Sequence, residues 1–363
     1  MKIKIYNNKS ILTALSIFLL EFSFLMNNFF RQPTLSFVFI LLSTIFLYST
    51  VFKQLISRRH LIILISTCAM FLVIPSSFSI NIVFIILFIF AINSLGNIDD
   101  VFKYSIWGYY AILCIVFLSL MLGIVDNTIF YLGGRIRYDL GFININNFPS
   151  LWISFFCIYF LYSEKKFMPI MFLLMLSFII YRFTDTRTAF FASLLIVFIY
   201  YLMKYMNRRF LKIGIYLFVT ILFFSVFLFF IYDFSDTNSF LNILLSDRLY
   251  YFQKYIESQD VVNYLLGGGS GEIDNCFLLI FCNFGIVIYL FVFLRVLKTV
   301  KLLLNFKEFD KLAFIIVMLA SASVESVILR PQFMSTVVFW YIIVFYKKKN
   351  ITAFDINIGS NSD

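Results

Sequence analysis

Arg248, the glycine run Gly267-Gly268-Gly269-Ser270-Gly271 and the pair Asp274-Asn275 share one stretch, Ser246 to Leu279, that interrupts an otherwise hydrophobic chain. Leu241, Leu244, Leu245, Leu249, Phe252 and Ile256 recur three and four residues apart, which predicts an amphipathic helix along an interface. Arg248 falls on their face, so its guanidinium must meet a buried anion or bear the cost of desolvation. A bound anion is one partner; an internal pair with Asp247, Glu257 or Asp260 is the other. Glycines let a backbone approach a ligand and expose N–H groups, as in a phosphate-binding nest, although a plain flexible turn has the same composition. Asp274-Asn275 reads either as a helix cap or as a carboxylate, Asp274, placed for acid-base work. The chemistry these types suit is the binding of an anion beside a carboxylate able to take a proton.

The elements that must position them are membrane spans. Of 363 residues, 62% are hydrophobic and 13% charged, with 51 Phe and 22 Tyr, too little polar surface to cover a soluble fold. The expected class is an all-α polytopic membrane protein with about twelve transmembrane helices. Apolar runs fall near 11–30, 35–52, 61–74, 80–95, 104–124, 148–162, 167–181, 188–206, 213–232, 274–297, 312–329 and 332–346. Lys2, Lys4 and Lys9 precede the first run as in a signal peptide, but no small-residue cleavage site follows, so it reads as a retained span. The net charge of +10 is then a matter of topology and not of nucleic acid. With the N-terminus inside, 21 of the 29 basic residues are cytosolic, 16 of them Lys. The outer eight are Arg31, Arg135, Arg137, Arg182, Arg187, Arg248, Lys254 and Arg330, seven of them Arg. The bias places both termini, including the tail 347–363, in the cytosol of a plasma (inner) membrane protein. Arg is chosen where a planar fork must hold phosphate or carboxylate, so this excess points to an outer anion site, with snorkelling to headgroups as the alternative.

Two outer loops are long, about 125–147 and 233–273. The first carries a Gly133-Gly134 turn, Arg135, Arg137 and an Asn cluster; a short turn elsewhere carries Arg182, Asp185 and Arg187. The single His60 lies beside Arg58 and Arg59 in a cytosolic turn, and no Asp-x-Asp occurs, so a His-based or metal-nucleotide site has no candidate. The five Cys fall in or beside apolar runs and read as small core residues. Glu21, mid-span, reads as a bundle-facing polar contact; Glu325 and Arg330, five apart, read as a functional carboxylate or a mutual pair.

The order of these features resembles a family. An outer R-x3-G-F-x-N-x-N precedes one span and a T-R-T opens another; R-x2-Y-F, Leu-Gly-Gly-Gly, Asp-Asn and Phe-Gly-Ile follow in a late loop and span. Together they resemble the Wzy-type O-antigen and capsular polysaccharide polymerases, relatives of the O-antigen ligases, over most of the chain in layout. The resemblance implies a metal-independent, cofactor-free membrane glycosyltransferase that joins oligosaccharide repeats carried on undecaprenyl pyrophosphate. Its implied partners are donor and acceptor lipid-linked repeats and membrane lipid, with a chain-length regulator and a flippase alongside. By the same resemblance Arg137, Gly141 and Asn146 or Asn147 match the first-loop pattern, Arg187 the short turn, and Arg248, Gly267, Gly269 and Asn275 the late loop. The implied catalytic set is Asp274, Arg248 and Arg187, with Asp139 or Asp185 as the second choice of base. Arg135, Arg137, Asn146, Asn147, Arg182, Gly267, Gly269, Asn275 and Arg330 are the implied substrate contacts. The ligase branch has a His where Asp274 stands, which favours the polymerase branch. A ligase-like transferase and a flippase of the same lipids are the alternatives.

Overall fold

The computed structural model describes residues 2–51, 77–95, 98–132, 135–164, 167–205, 208–237, 239–240, 242, 247–269, 271 and 273–346. The expected span at 61–74, the tail from 347, Gly133-Gly134 and Leu241, Leu244 and Leu245 lie outside them. Long apolar helices dominate. Helix α1 (Lys2–Asn28) turns at Arg31, whose φ of 57° breaks the helix, into α2 (Pro33–Val51), with Pro33 at the first helical position, where its missing N–H costs nothing. The two helices pack closely because small residues meet: Ser16 Oγ donates to Ser43 O (2.7 Å) and Ser43 Oγ to Ser16 O (2.6 Å). Helices α3 (Ser77–Leu95) and α4 (Ile98–Met121) follow. Ser105 of α4 donates to Glu21, and a Cβ at Gly108 would collide with that carboxylate, so the glycine makes its room. Glu21 is fully buried, a contact between helices as its mid-span position requires.

The loop after α4 is not irregular. It forms an antiparallel hairpin, β1 (Ile129–Leu132) and β2 (Arg135–Tyr138), with Phe130 opposite Arg137. The all-α expectation needs this correction. Four-residue strands around a Gly-Gly pair are a hairpin signal that the surrounding hydrophobicity hides.

Next come α5 (Asn147–Tyr162), α6 (Phe167–Thr184), α7 (Arg187–Tyr205) and α8 (Arg208–Phe224), the last tightening into a 3₁₀ turn over Ser225–Phe230. Nearly every residue of α5 is buried, and its Ser154 joins Tyr109 of α4 (2.5 Å) to Ser335 of α13 (2.7 Å). Two short helices, α9 (Arg248–Glu257) and α10 (Val261–Leu266), lead into α11 (Cys276–Phe306). The helix expected over 241–256 is not continuous: Asn242 is helical, but Asp247 sits in the left-handed region at φ 60° and α9 begins after it, at Arg248. Helices α12 (Phe309–Ala322) and α13 (Met334–Phe345) are short and buried, and the chain between them is non-helical apart from a 3₁₀ turn at Val327–Leu329.

Seven of the described helices are long and apolar enough to cross a membrane: those at Lys9–Asn28, Pro33–Val51, Ile98–Met121, Phe167–Thr184, Arg187–Tyr205, Phe210–Phe230 and Cys276–Phe306. The expected twelve are not reached among the described residues. Ile80–Leu95, Asn147–Tyr162 and Met334–Phe345 are apolar but shorter, and α12 has 14 residues, about 21 Å against a hydrocarbon core of roughly 30 Å. The runs at 312–329 and 332–346 read as spans because their apolar residues are continuous; in the structure they are two short, buried helices joined by a buried turn. Of the cysteines, Cys157, Cys276 and Cys282 are buried free thiols, as expected of core residues, whereas Cys114 is exposed.

Helix α11 is broken at Gly285 (φ 77°, ψ 169°). The break removes the helical N–H partners of Cys282 O and Asn283 O. Gly268 N donates to Asn283 O (2.9 Å) and Gly269 N to Cys282 O (3.1 Å), closing the ladder from outside. Only glycine fits: a Cβ at Gly267 would lie 2.6 Å from Asn283 O, and one at Gly285 would lie 2.5 Å from Leu265 O. Gly267→Ala is therefore expected to lower the melting temperature of the detergent-purified protein. Its φ of 87° and ψ of −171° alone carry about 1–3 kcal/mol of strain for a non-glycine residue. Gly214→Ala, inside α8 where a Cβ meets nothing within 4 Å, should not lower it and gains helix propensity of up to about 1 kcal/mol; an equal loss in both variants would contradict this account of the break.

Candidate functional site

A cavity of about 750 Å³ opens where α1, α3, α9, the start of α11 and the α12–α13 turn converge. Its charged wall is Arg248, Lys254, Asp274 and Arg330. The amides of Asn27, Asn28, Asn81, Asn144, Asn147 and Gln332 face it, and Phe24, Tyr251, Phe252 and Tyr255 supply aromatic surface. Amides, aromatic rings and arginines together suit a ligand with both hydroxyl groups and negative charge.

Arg248 is at the first residue of α9, and the turn after α12 holds its fork. Nη2 donates to Glu325 Oε1 at 3.0 Å and Nη1 donates to Val324 O. The Arg248 side chain is 22% exposed and that of Glu325 7%, so the pair straddles the cavity wall with the cation outward. The residues weighed as internal partners, Asp247, Glu257 and Asp260, are replaced by one 77 positions away, beyond the reach of local spacing. Glu325 therefore does not pair with Arg330. Arg330 instead donates from Nε to Ser326 Oγ (3.1 Å) and from Nη1 to Asn147 Oδ1 (3.5 Å). Asn147 in turn donates to Asn28 Oδ1 (2.9 Å), tying the start of α5 to the end of α1.

Asp274 is half-buried at the mouth of α11 and lines the same cavity. Asn275 beside it serves as the cap: its Oδ1 accepts from Phe277 N (3.0 Å) and Leu278 N (3.1 Å). The cap reading of the pair thus belongs to Asn275 and leaves the Asp274 carboxylate to the cavity. At the rim, Lys254 lies 4.4 Å from the Tyr250 ring centre, and the Tyr250 hydroxyl beside it raises its pKa, so it is a fixed cation.

The other residues singled out from the sequence lie elsewhere. Arg137 donates to Thr184 O (2.9 Å), Thr186 Oγ1 (3.0 Å) and Asn146 Oδ1 (3.3 Å), clamping the hairpin to the α6–α7 turn. Asn146 is thereby committed to this clamp, one residue behind the cavity wall. Asp139, weighed as a base, accepts from Thr128 N and Gly141 N, both at 2.9 Å, and closes the hairpin base. Arg182 is exposed at the end of α6, and Arg187 is half-buried at the start of α7; neither stands in the cavity wall. Arg135 pairs with Leu132 in the hairpin. Gly267 and Gly269 brace the α11 break, so the nest reading of the glycine run is corrected: the N–H groups of Gly267, Gly268 and Gly269 all donate to backbone carbonyls.

Sequence reasoning missed Asn27, Asn28, Asn81, Ser326 and Gln332. Asn27, Asn28 and Asn81 are polar residues at the ends of apolar runs, the signal that was available. Neither a family model, nor a curated protein, nor a solved structure matches this chain.

Removing either partner of a buried pair leaves an uncompensated charge, at a cost of about 3–5 kcal/mol. Glu325→Ala should therefore destabilise the protein strongly, whereas Glu325→Gln, which keeps an acceptor for Arg248, should cost less. Thermal unfolding in detergent checks the order, and equal losses would mean that a neutral acceptor does nothing and that the charge of Glu325 alone holds Arg248. Asn275→Ala should cost about 1 kcal/mol through the lost cap, with Asn275→Asp retaining most of it.

Proposed function

We propose that this chain is a membrane glycosyltransferase that joins lipid pyrophosphate-linked oligosaccharide repeats into a longer polysaccharide at the outer face of the membrane. The observation that carries the reading is the convergence of Arg248, Arg330, Asp274 and Asn147, drawn from four separate stretches, on one cavity rich in amides and aromatic rings. The seven long apolar helices support membrane residence. The outward orientation and the O-antigen or capsule product rest on the distribution of basic residues and on the resemblance in layout.

In this reading, a hydroxyl of the acceptor sugar attacks the anomeric carbon of the donor repeat. The new C–O bond forms as the bond from that carbon to the pyrophosphate oxygen breaks, and its electron pair leaves with the lipid pyrophosphate. Arg248 and Arg330, already fixed by the α12–α13 turn and by Asn147, meet the charge that grows on the departing oxygen. Fixed donors do this at little reorganisation cost. Asp274 accepts the hydroxyl proton. The amides and Tyr251 hold the sugars in line, as proximity demands.

The test is made in cells lacking this protein, complemented at matched expression. Wild type should restore a ladder of lipid-linked glycans. Arg248→Ala should collapse it to a single repeat, since each charge-assisted bond lost is worth about 1.5–3 kcal/mol. Asp274→Asn should slow elongation by about 10²–10⁴-fold, the usual contribution of a general base. An intact ladder in cells lacking the protein would remove the polymerase reading.

One observation favours a second reading, a flippase of the same lipids. Helix α11 is broken at Gly285, and its short first half begins at the cavity, an arrangement that transporters use at their substrate sites. Unextended lipid-linked repeats trapped on the cytosolic side in cells lacking the protein would favour it over the polymerase.

A further inference from the structure

Below the polar cavity runs a second concavity of about 340 Å³, walled by α3, α11 and α13 and lined by apolar side chains. Their linings adjoin along single helix faces. On α3, Asn81 faces the polar cavity, and Ile85 and Ile89, four and eight residues on, line the apolar groove. In the α12–α13 turn, Arg330 faces the cavity and its neighbour Leu329 the groove. On α11 the lining crosses the break: Ile280 and Phe284 come from the short first half, Ile288 and Phe291 from the long second half. The break at Gly285 therefore shapes the groove, and the glycine run that braces the break belongs to the same device. Phe291 is 68% exposed, so the groove opens sideways from the bundle.

We infer that this groove holds the proximal part of the hydrocarbon chain of a polyisoprenyl diphosphate, with the diphosphate at Arg248 and Arg330. The inference deepens the proposed function and rests on it for the identity of the headgroup. A single channel with two guanidiniums at its head matches a one-chain lipid bearing a compact, multiply charged headgroup. A diacyl phospholipid would place one chain in the groove, leave the other in bulk lipid, and bring one phosphate to two arginines. The groove and the sideways opening also give a route by which such a lipid enters from the membrane with its headgroup already beside Asp274.

The test uses the full chain in lipid nanodiscs and a photoreactive polyisoprenyl diphosphate carrying its diazirine near the headgroup. Labelling is expected on peptides from α3 and α11, displaced by unlabelled polyisoprenyl diphosphate and not by phosphatidylglycerol at the same concentration. Ile86→Trp combined with Ile288→Trp, which fills the groove, should reduce labelling by about tenfold. The same variant should retain its affinity for farnesyl diphosphate, whose shorter chain depends less on the groove, and that retention also reports a folded headgroup site. Displacement by phosphatidylglycerol as effective as by the diphosphate lipid would reduce the groove to an ordinary lipid contact and overturn the inference, as would labelling confined to other helices. Specific labelling in a protein that makes no glycan ladder would leave the lipid site standing while the polymerase reading falls; a ladder without groove labelling would do the reverse.

Discussion

The buried turn between α12 and α13 is the constraint on which the rest of the structure depends. Its residues Glu325 to Leu329 are at most 5% exposed, yet most of their carbonyls have no helical partner. A buried carbonyl without a donor costs free energy comparable to a lost hydrogen bond, and more in a membrane where no water can substitute. Side chains from four places meet the need. Arg248 donates to Val324 O, Cys276 Sγ to Glu325 O (3.2 Å), Thr336 to Val327 O and Trp340 Nε1 to Ile328 O (2.7 Å). The turn thus fastens α9, α11 and α13 to one another.

That arrangement places the candidate chemistry. Arg248 reaches the cavity wall because the turn needs its donors, and Glu325 is buried there because Arg248 can neutralise it. Arg330 leaves the same turn to meet Asn147. Two guanidiniums are therefore held before any ligand arrives, Arg248 by a carbonyl and a carboxylate and Arg330 by a hydroxyl and an amide, and only the remainder of each fork is free to bind. Preorganisation of this kind is what stabilising a developing charge requires, since flexible arginines would spend binding energy on their own ordering.

Much of this was legible in the residues. The apolar runs announced membrane helices, the face shared by Arg248 with Phe252 and Ile256 announced an expensive cation in need of a partner, and Asp274-Asn275 announced a helix start. The failures share a physical cause. Spacing reports local geometry, whereas Arg248–Glu325 is a contact between residues 77 positions apart, and the nearest acidic residues were weighed in its place. Continuous hydrophobicity reads the same in one long helix and in a short helix followed by irregular backbone, so the turn between α12 and α13 has no signature in the sequence. The glycine run reads as a nest for a ligand or as a flexible turn, because no local feature reveals a break in α11 that needs backbone donors. Arg137 was grouped with the other outer arginines by type, although its fork is spent on holding the hairpin against Thr184 and Thr186.

The two irregular segments, the α12–α13 turn and the α11 break at Gly285, both depend on donors from other elements of the fold. Helices need no such help, so an all-helical bundle would have been the cheaper solution for a protein that only fills membrane. Irregular backbone inside a bundle persists where it lines a cavity or carries function. Here one segment anchors Arg248 and carries Arg330, and the other helps to wall the apolar groove. The same Trp340 that donates to Ile328 O also lines that groove. Polar and apolar halves of the site are therefore built from one set of contacts, and a ligand that engaged both would be recognised along its length, charge at one end and hydrocarbon at the other.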